Sequence, residues 1–466
     1  MSIFSCGGNR SFPTTWTPLW TLLVLLLQVL IARPAWALPA FASQTGQRCV
    51  ACHAGGQFPE LTPYGRFFKM TGYTLGTRVA LPLSVMAVAS YTKTRDTTSD
   101  SPSVDFAKDA NALFQTGSVF LAGKVTDNIG AFVQVTYDNY ASQNPDSLAW
   151  SGHSHADNID LRYADHFVRG DTDLIVGASL NNNPTLSDVW NTVPAWIQYV
   201  PTHFGVTGPS ATPMIAQLGQ QVVGLGAYAL WNKTIFAEVA GYQTAKGAFS
   251  FLKAGNTIGN RLQGSNPYAR VALNREWGAH SAMIGAFGMN ADVYPDPTFA
   301  DGPVTHYRDR GVDAQYQYLL DPHAVTLQAS YIRERTSGGS DSGVSTNDSN
   351  TLNQLRLKGS YIYRSVLGGS LSYFSTTGSA DDTLYPGVQT DSNGNPMPIP
   401  ISGSVTNSPA TRGWTPEIFW TPTQNLRVGA QYFMYERYHG ARADYDGAGR
   451  NASGNNTLFV YGWLAY

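Results

Sequence analysis

The residues best suited to chemistry lie in one short run, Cys49-Val50-Ala51-Cys52-His53. Two cysteines separated by two residues and followed directly by histidine form the C-x-x-C-H pattern of c-type haem attachment. In that chemistry the two thiols bond to the porphyrin, and the histidine ligates the iron. We therefore predict one covalently bound haem c, held by Cys49 and Cys52, with His53 as an axial iron ligand.

Two other uses of this run stay open. A zinc site needs further cysteine or histidine ligands nearby, and the next histidine along the chain is His153. A redox-active dithiol is expected in a βαβ context, which the sequence around Cys49 and Cys52 does not show. Haem attachment is favoured because it uses both cysteines that remain if the segment containing Cys6 is removed on export.

Met70 is the candidate for the second axial ligand of the haem iron. It ends the run Phe67-Phe68-Lys69-Met70, which can fold back over the distal face of a haem bound at His53. A methionine ligand would raise the reduction potential of the haem. The alternative is that Met70 is apolar packing against the macrocycle and does not ligate the iron.

The N-terminal segment has the features of a secretory signal peptide. Arg10 precedes an apolar run from Leu19 to Ala32, and Ala35-Trp36-Ala37 gives a small-x-small cleavage pattern. We expect residues 1–37 to be removed, so that the exported chain begins at Leu38. A retained membrane anchor is the alternative, but the apolar run is short for a helix that crosses a bilayer.

The composition of the chain excludes several classes of protein. Lys+Arg (30) and Asp+Glu (32) nearly cancel, so the chain is not a basic nucleic-acid binder. A hydrophobic share of 43% excludes a disordered chain. No apolar run of about 20 residues follows the N-terminal segment, which excludes a bundle of membrane helices. A chain with 13% charged and 12% aromatic residues and 46 glycines is typical of an all-β protein.

The chain after Arg78 alternates between apolar and polar residues, which is the pattern of strands with two unlike faces. Ile129–Asp138 and Asn353–Tyr363 are clear examples. We predict sixteen strands, near residues 79–91, 112–125, 129–138, 158–168, 172–181, 217–230, 233–243, 267–276, 280–293, 310–320, 323–335, 351–363, 365–376, 410–420, 425–437 and 455–466.

The connections between these strands alternate between short turns and long loops, which is typical of an outer-membrane barrel. A soluble sandwich or propeller is the alternative, but no propeller-like repeat of about 40–50 residues is present. We therefore predict an all-β fold, a barrel of about sixteen antiparallel transmembrane strands over residues 79–466. The last segment, with Leu458, Val460, Leu464 and Tyr466 on one face, is expected to close it.

Residues 38–78 are expected to form a small haem-bearing unit, here called the plug. A segment of this size rarely folds without a cofactor or partner. The lumen of a sixteen-stranded barrel is wide enough to hold it. Because haem attachment takes place in the periplasm, we expect the short turns on the periplasmic side, the long loops outside, and the plug at the periplasmic side or inside the lumen.

Three stretches resemble one known family, the fused monohaem cytochrome–porin proteins of the outer membrane. They are residues 41–53, residues 58–73, and residues 181–196 in the longest loop. The resemblance covers the plug, that loop and the barrel layout. It implies an outer-membrane protein that accepts electrons from extracellular iron(II) and passes them inward, and it extends to Cys49, Cys52 and His53 as haem-binding residues.

The function we expect is electron transfer. An extracellular reductant such as iron(II) would give an electron to the haem, and a periplasmic cytochrome c or cupredoxin would take it. Outer-sphere transfer needs no catalytic acid or base, and we assign none. The other expected partner is the lipid of the bacterial outer membrane. The alternative is a solute channel whose haem-bearing plug is structural or regulatory.

Three groups of polar residues carry weaker hypotheses. A histidine pair beside two aspartates in a predicted outer loop is either a metal-capture site or plain polar surface: His153, His155, Asp146 and Asp157. Acidic residues in another outer loop either attract cations or are merely solvated: Asp96, Asp100, Asp105 and Asp109. Charged residues at predicted lumen positions either clamp the haem propionates or line a wet lumen: Arg356, Lys358, Arg427 and Glu238.

Overall fold

The computed structural model describes residues 39–56, 59–96, 111–144, 146–147, 149–192, 211–387, 389–390, 396–397 and 403–466. The predicted signal peptide lies outside the described residues. From Pro39 onward the chain forms one compact unit, so the N-terminal helices and the strands belong to the same body.

Three short helices precede the first strand. They are α1 (Ala40–Thr45), α2 (Cys49–Cys52) and α3 (Pro63–Met70). Gly46 ends α1 in the left-handed conformation, with φ of 68°. Thr62 begins α3 by accepting a hydrogen bond from the Gly65 amide, and proline occupies the first turn. Among the described residues, no helix is long and apolar enough to cross a membrane.

Sixteen long strands form one sheet among the described residues. They are β1 (Leu83–Thr94), β2 (Asn111–Lys124), β3 (Ile129–Gln143), β4 (Trp150–Arg169), β5 (Thr172–Asn181), β6 (Val222–Trp231), β7 (Ile235–Thr244), β8 (Asn266–Trp277), β9 (His280–Tyr294), β10 (Thr305–Leu320), β11 (His323–Ser337), β12 (Thr351–Tyr363), β13 (Leu367–Gly378), β14 (Thr411–Thr423), β15 (Leu426–Arg437) and β16 (Thr457–Ala465). Each corresponds to one of the predicted strands.

The sheet closes on itself. Each long strand pairs antiparallel with its neighbour in the chain, and β1 pairs with β16, for example Val88 opposite Trp463. Backbone hydrogen bonds between Val85 and Tyr466 complete the seam. Closure leaves no unpaired strand edge. The predicted barrel of sixteen antiparallel strands with a helical N-terminal part is therefore confirmed.

One expected loop is part of a strand. The predicted fourth strand was residues 158–168, whereas β4 begins at Trp150 and pairs with β3 over residues such as Tyr137 opposite Ser154. His153 and His155 therefore lie on this strand and not in a loop. Both sides of this extension are largely exposed. It consequently lacks the apolar–polar alternation that marks the rest of the barrel.

The outer surface of the barrel carries an apolar band between two rows of exposed aromatic side chains. One row lies near the short turns: Phe167, Trp231, Trp277, Tyr363 and Trp420. The other lies nearer the long loops: Tyr91, Phe114, Tyr331, Trp414 and Tyr432. Exposed aliphatic residues such as Val239, Val271 and Ile284 fill the space between the rows. This is the surface that outer-membrane barrels present to lipid.

The inward positions of the strands are polar and buried. Along β11, Thr326, Gln328 and Ser330 are buried, whereas the alternating residues Leu327 and Tyr331 are exposed on the outside. Burial of inward side chains shows that protein fills much of the lumen at this level.

A charge placed on the apolar band tests this assignment of faces. Ile284 is 62% exposed and lies about 10 Å from the short turn, near the middle of a band about 25 Å tall. We expect Ile284→Arg to destabilise the barrel folded in lipid vesicles by about 2–4 kcal/mol, because arginine is costly at the bilayer centre.

The matched control is Val168→Arg. Val168 is 69% exposed but lies beside a short turn, where we expect a cost of about 1 kcal/mol or less. Denaturant titration in vesicles measures both values. Equal costs for the two variants would contradict a lipid-facing band.

Candidate functional site

The plug lies inside the barrel, because its side chains contact inward-facing wall residues. The Tyr73 hydroxyl donates to Asp160 Oδ2 of β4 at 2.6 Å. The Tyr228 hydroxyl of β6 donates to the Met70 carbonyl at 2.8 Å. These two bonds hold the C-terminal end of α3 and the turn after it against one side of the wall.

Arg66 is the deepest anchor of the plug. It is 1% exposed, and its guanidinium donates to Gln317 Oε1 at 2.8 Å, Gln315 Oε1 at 3.0 Å and Ser281 Oγ at 2.6 Å. It also donates to the Leu61 carbonyl. Burial lowers the pKa of Arg66 to about 10, so it stays charged near neutral pH. A buried charge is tolerated only when its donors are satisfied, and these partners fix α3 to β9 and β10.

Other contacts hold the plug to further parts of the wall. Lys358 Nζ of β12 forms an ion pair with Glu60 Oε1 at 2.5 Å, and both side chains are buried. The Ala40 amide donates to Ser84 Oγ of β1, and the Lys124 amide of β2 donates to Gln44 Oε1. The plug is thus attached to strands all around the lumen.

The plug occupies the part of the lumen next to the short turns. Three of its wall partners lie within four residues of a strand end that carries a short turn: Tyr228, Ser281 and Gln317. A fourth partner, Ser84, lies at the start of β1 on the same side of the barrel. If the short turns face the periplasm, the plug lies on the periplasmic side.

The C-x-x-C-H run forms α2 and the residue after it. Cys49 and Cys52 are free thiols of intermediate exposure, one helical turn apart. Burial raises the pKa of both, that of Cys52 to about 11, so neither is a thiolate near neutral pH. His53 follows in extended conformation and pairs with Leu61. Two accessible thiols on one helix face with an adjacent histidine fit the requirements of covalent haem attachment.

Helix α2 is packed directly on α3. The Thr62 amide donates to the Cys52 carbonyl at 2.9 Å, and the Thr62 hydroxyl donates to the Ala51 carbonyl. Gly65 lies at the contact, where a Cβ atom would be 2.1 Å from the Cys52 carbonyl oxygen. The wall therefore positions α3, and α3 positions the two cysteines.

Residues 182–192 of the long connection between β5 and β6, here called the inward loop, lie in the lumen and contact the plug. Lys69 Nζ donates to the Leu186 carbonyl at 2.5 Å, and Asn191 Nδ2 donates to the Pro59 carbonyl. Gln315 of the wall donates to the Trp190 carbonyl at 3.0 Å. Residues 193–196, part of the stretch that resembles the cytochrome–porin family, lie outside the described residues.

A buried network of charges joins the wall to this inward loop. Arg270 Nη2 lies 2.6 Å from Asp313 Oδ2 and 3.4 Å from Asp188 Oδ1 of the loop. Burial alone would raise the pKa of Asp188, but Arg270 and the amides of Trp190 and Thr192 hold it below its ordinary value. The sequence analysis did not predict this network. The available signal was the presence of charged residues at inward strand positions.

Met70 is buried against the wall and the loop. It shares one apolar cluster with Ala164, Ile175, Trp190 and Tyr228. Its role as a second iron ligand stays a prediction.

The predicted lumen residues lie inside the barrel. Lys358 pairs with Glu60, and Arg427 Nη2 lies 2.8 Å from Glu417 Oε1 with its guanidinium over the Phe419 ring. Glu238 and Arg356 are buried as well. Lys358 and Arg427 thus have carboxylate partners of their own, whether or not they also contact haem propionates.

The histidine pair of the first outer group is not part of a metal site among the described residues. His153 Nε2 lies 2.8 Å from the Gly255 carbonyl, and His155 Nδ1 lies 3.8 Å from Asp138 Oδ2. Within the described residues, no set of three or more His, Cys, Asp or Glu side chains could hold a metal ion. Asp96 pairs with Arg450 at 3.7 Å. Asp100, Asp105 and Asp109 lie outside the described residues.

Solved structures of similar fold are outer-membrane proteins. The outer membrane channel DcaP of Acinetobacter baumannii is 13% identical with a TM-score of 0.43, covering 82% of this chain and 96% of that chain. OmpF of Salmonella typhi in complex with daunomycin is 12% identical with a TM-score of 0.44, covering 82% and 97%. A loop-deletion mutant of OmpT of Vibrio cholerae is 9% identical with a TM-score of 0.43, covering 82% and 98%.

These similarities concern the fold alone. The class of the fold, a closed barrel of sixteen antiparallel long strands, follows from the strand pairing of this structure itself. No protein-family model matches the sequence, and no curated protein sequence matches it either.

A side chain at Gly65 tests the packing that positions the two cysteines. The Cβ of Gly65→Ala would meet backbone atoms of Cys52, which cannot rotate away. We expect α2 and α3 to separate at a cost of about 1–3 kcal/mol. The result should be faster hydrogen exchange over residues 49–70 and less covalently bound haem.

The matched control is Gly462→Ala, because a Cβ there meets nothing within 4 Å. It should leave exchange in the plug unchanged. Wild-type exchange in the plug of Gly65→Ala would contradict the close packing of these helices.

Proposed function

We propose that this protein is an outer-membrane cytochrome–porin fusion that transfers electrons from an extracellular donor, iron(II), through one haem c to a periplasmic carrier. The observation that carries the proposal is the position of the C-x-x-C-H helix. Helix α2 packs on α3, which is fixed inside the lumen near the short turns.

The barrel exterior supports the membrane part of the proposal. An apolar band between two aromatic rows is what a lipid bilayer covers in outer-membrane barrels. Short turns on one side and long loops on the other support an orientation with the turns in the periplasm. The similar solved structures are outer-membrane proteins as well.

The residues of the plug have distinct roles in this proposal. Cys49 and Cys52 would hold the haem, and His53 would ligate its iron. A bound haem supplies reversible one-electron chemistry at a potential that its ligands and surroundings set. Arg66 and Lys358 hold the plug in place, and Lys69 attaches it to the inward loop.

The location of the plug suits contact with two partners on opposite sides of the membrane. The thiols of α2 are partly exposed near the short turns, where a periplasmic cytochrome c or cupredoxin would approach. An apolar band about 25 Å tall separates the two aqueous phases. A carrier fixed within the lumen lies between them, so that neither partner has to cross the membrane.

A porin-like solute channel is the second candidate function, because the barrel has the strand number and closure of a channel. In that case the haem would be structural or regulatory. The two proposals differ in one property: the first predicts electron transfer without solute flux, and the second predicts flux.

Optical measurement on intact cells tests the proposed function. With the protein in the outer membrane, we expect iron(II) added outside to produce the ferrous haem band. Cys49→Ser/Cys52→Ser should abolish covalent haem on denaturing gels and with it the band. Cys6→Ser is the matched cysteine control and should retain both.

Two results would contradict the proposal in different ways. Absence of covalent haem in the wild-type chain would contradict the haem assignment. Covalent haem that dithionite reduces but external iron(II) does not would contradict iron(II) as the donor.

A further inference from the structure

Four arginines lie together on the outer surface of the barrel, on strands β10 and β11. The burial pattern shows their direction: Asp309 and Glu334 point inward and are buried, whereas Arg310, Arg333 and Arg335 are exposed. Arg308 shares the outward face of β10, with 39% of its side chain exposed. We call these four residues, Arg308, Arg310, Arg333 and Arg335, the arginine patch.

The strand register places these arginines directly opposite one another. Arg308 is the partner of Arg335, and Arg310 is the partner of Arg333. Like charges at directly opposed positions of an antiparallel pair destabilise the sheet. Two such pairs in succession therefore need a nearby negative charge to offset the repulsion.

The protein supplies little of that charge. Asp292 of β9 contacts Arg308 at 3.0 Å, but it also accepts from His306 at 2.8 Å. Among the described residues, the Arg310 guanidinium donates to three uncharged oxygens: the side-chain amide oxygen of Asn290 and the backbone carbonyl oxygens of Met289 and Asp309. Within the described part of the chain, no carboxylate forms an ion pair with Arg333 or Arg335. The patch thus carries four positive charges against one shared carboxylate.

The arginine patch lies at the upper boundary of the apolar band. Two residues closer to the short turns on each strand, Val312 lies opposite Tyr331, and both side chains are exposed on the outer surface. Arg310 lies about 25 Å above the short turn if the strands are tilted by about 40°. Tyr331 belongs to the aromatic row nearer the long loops. This is the level at which lipid headgroups meet the barrel.

We propose that the arginine patch binds the phosphates of an anionic lipid in the leaflet that faces the long loops. Guanidinium groups pair with phosphate through two parallel hydrogen bonds. The two arginine pairs lie about 7 Å apart along the strands, so each pair can approach a separate phosphate group. Below the arginines, Val312 and Tyr331 offer an apolar surface to the acyl chains. An acidic protein would not be expected at this depth beside the apolar band.

This proposal rests on the membrane location and orientation given above but not on the haem. Insertion into vesicles of neutral phosphatidylcholine tests the membrane location separately. Loss of lipid binding with normal insertion would overturn only the arginine patch. Failure to insert would overturn the membrane location as well.

Native mass spectrometry of the protein purified from the outer membrane tests the proposal. The probe is an acylated glucosamine disaccharide that carries two phosphates, with its dephosphorylated form as the ligand control. We expect the wild-type protein to bind the phosphorylated form and not the other. Arg310→Gln/Arg333→Gln should weaken that binding about 30-fold, because each arginine near a lipid surface contributes roughly a factor of five.

The matched control is Arg169→Gln/Arg275→Gln. It removes two exposed arginines next to short turns, at the end of the barrel opposite to the arginine patch. It should bind the lipid as the wild type does. Arg310→Lys/Arg333→Lys keeps the charge and should retain part of the affinity. Heat-dependent gel mobility verifies that each variant forms a folded barrel.

Two outcomes would overturn the proposal. Equal binding by wild type and by folded Arg310→Gln/Arg333→Gln would show that the arginine patch does not hold the lipid. Displacement of the lipid by inorganic phosphate at an equal concentration would show a site for a free anion and not for a lipid headgroup.

Discussion

A sixteen-stranded barrel encloses more space than its own inward side chains can fill, and this constraint determines what lies inside it. The wall must be polar on the inside because its strands alternate, and a polar lumen that is not open to water needs partners for every buried group. The plug and the inward loop provide several of these partners. Arg66 of the plug donates hydrogen bonds to three wall residues, and Lys358 of the wall forms an ion pair with one carboxylate of the plug.

The same contacts between the plug and the wall position the C-x-x-C-H helix. A helix of four residues has no stability of its own, so α2 depends on its packing against α3, where Gly65 permits close approach to Cys52. Helix α3 in turn depends on the wall through Arg66 and on the loop through Lys69. Breaking a buried charge pair costs about 3–5 kcal/mol, which makes a fixed plug more favourable than a mobile one. A fixed plug suits a carrier of electrons better than a gate for solutes.

The strands could be predicted because alternation of apolar and polar residues is a local signal. The bounds of β5 and β12 agree residue for residue with the prediction, and both have outward apolar and inward polar positions. The extension of β4 escaped prediction because both of its faces meet water. The anchoring of the plug escaped as well, since Arg66 and its partner Gln315 are 249 residues apart in the chain. The opposed arginine pairs of β10 and β11 could have been predicted from the sequence, because the tight turn between these strands sets their register.

We propose that the lumen carries electrons while remaining closed to solutes. The most direct test reconstitutes the haem-loaded protein in a planar lipid bilayer and measures ionic current, with haem reduction by iron(II) followed on vesicles of the same preparation. We expect reduction of the haem without sustained channel current. Stepwise conductance of porin size in the wild-type protein would contradict the fixed plug and favour the solute channel.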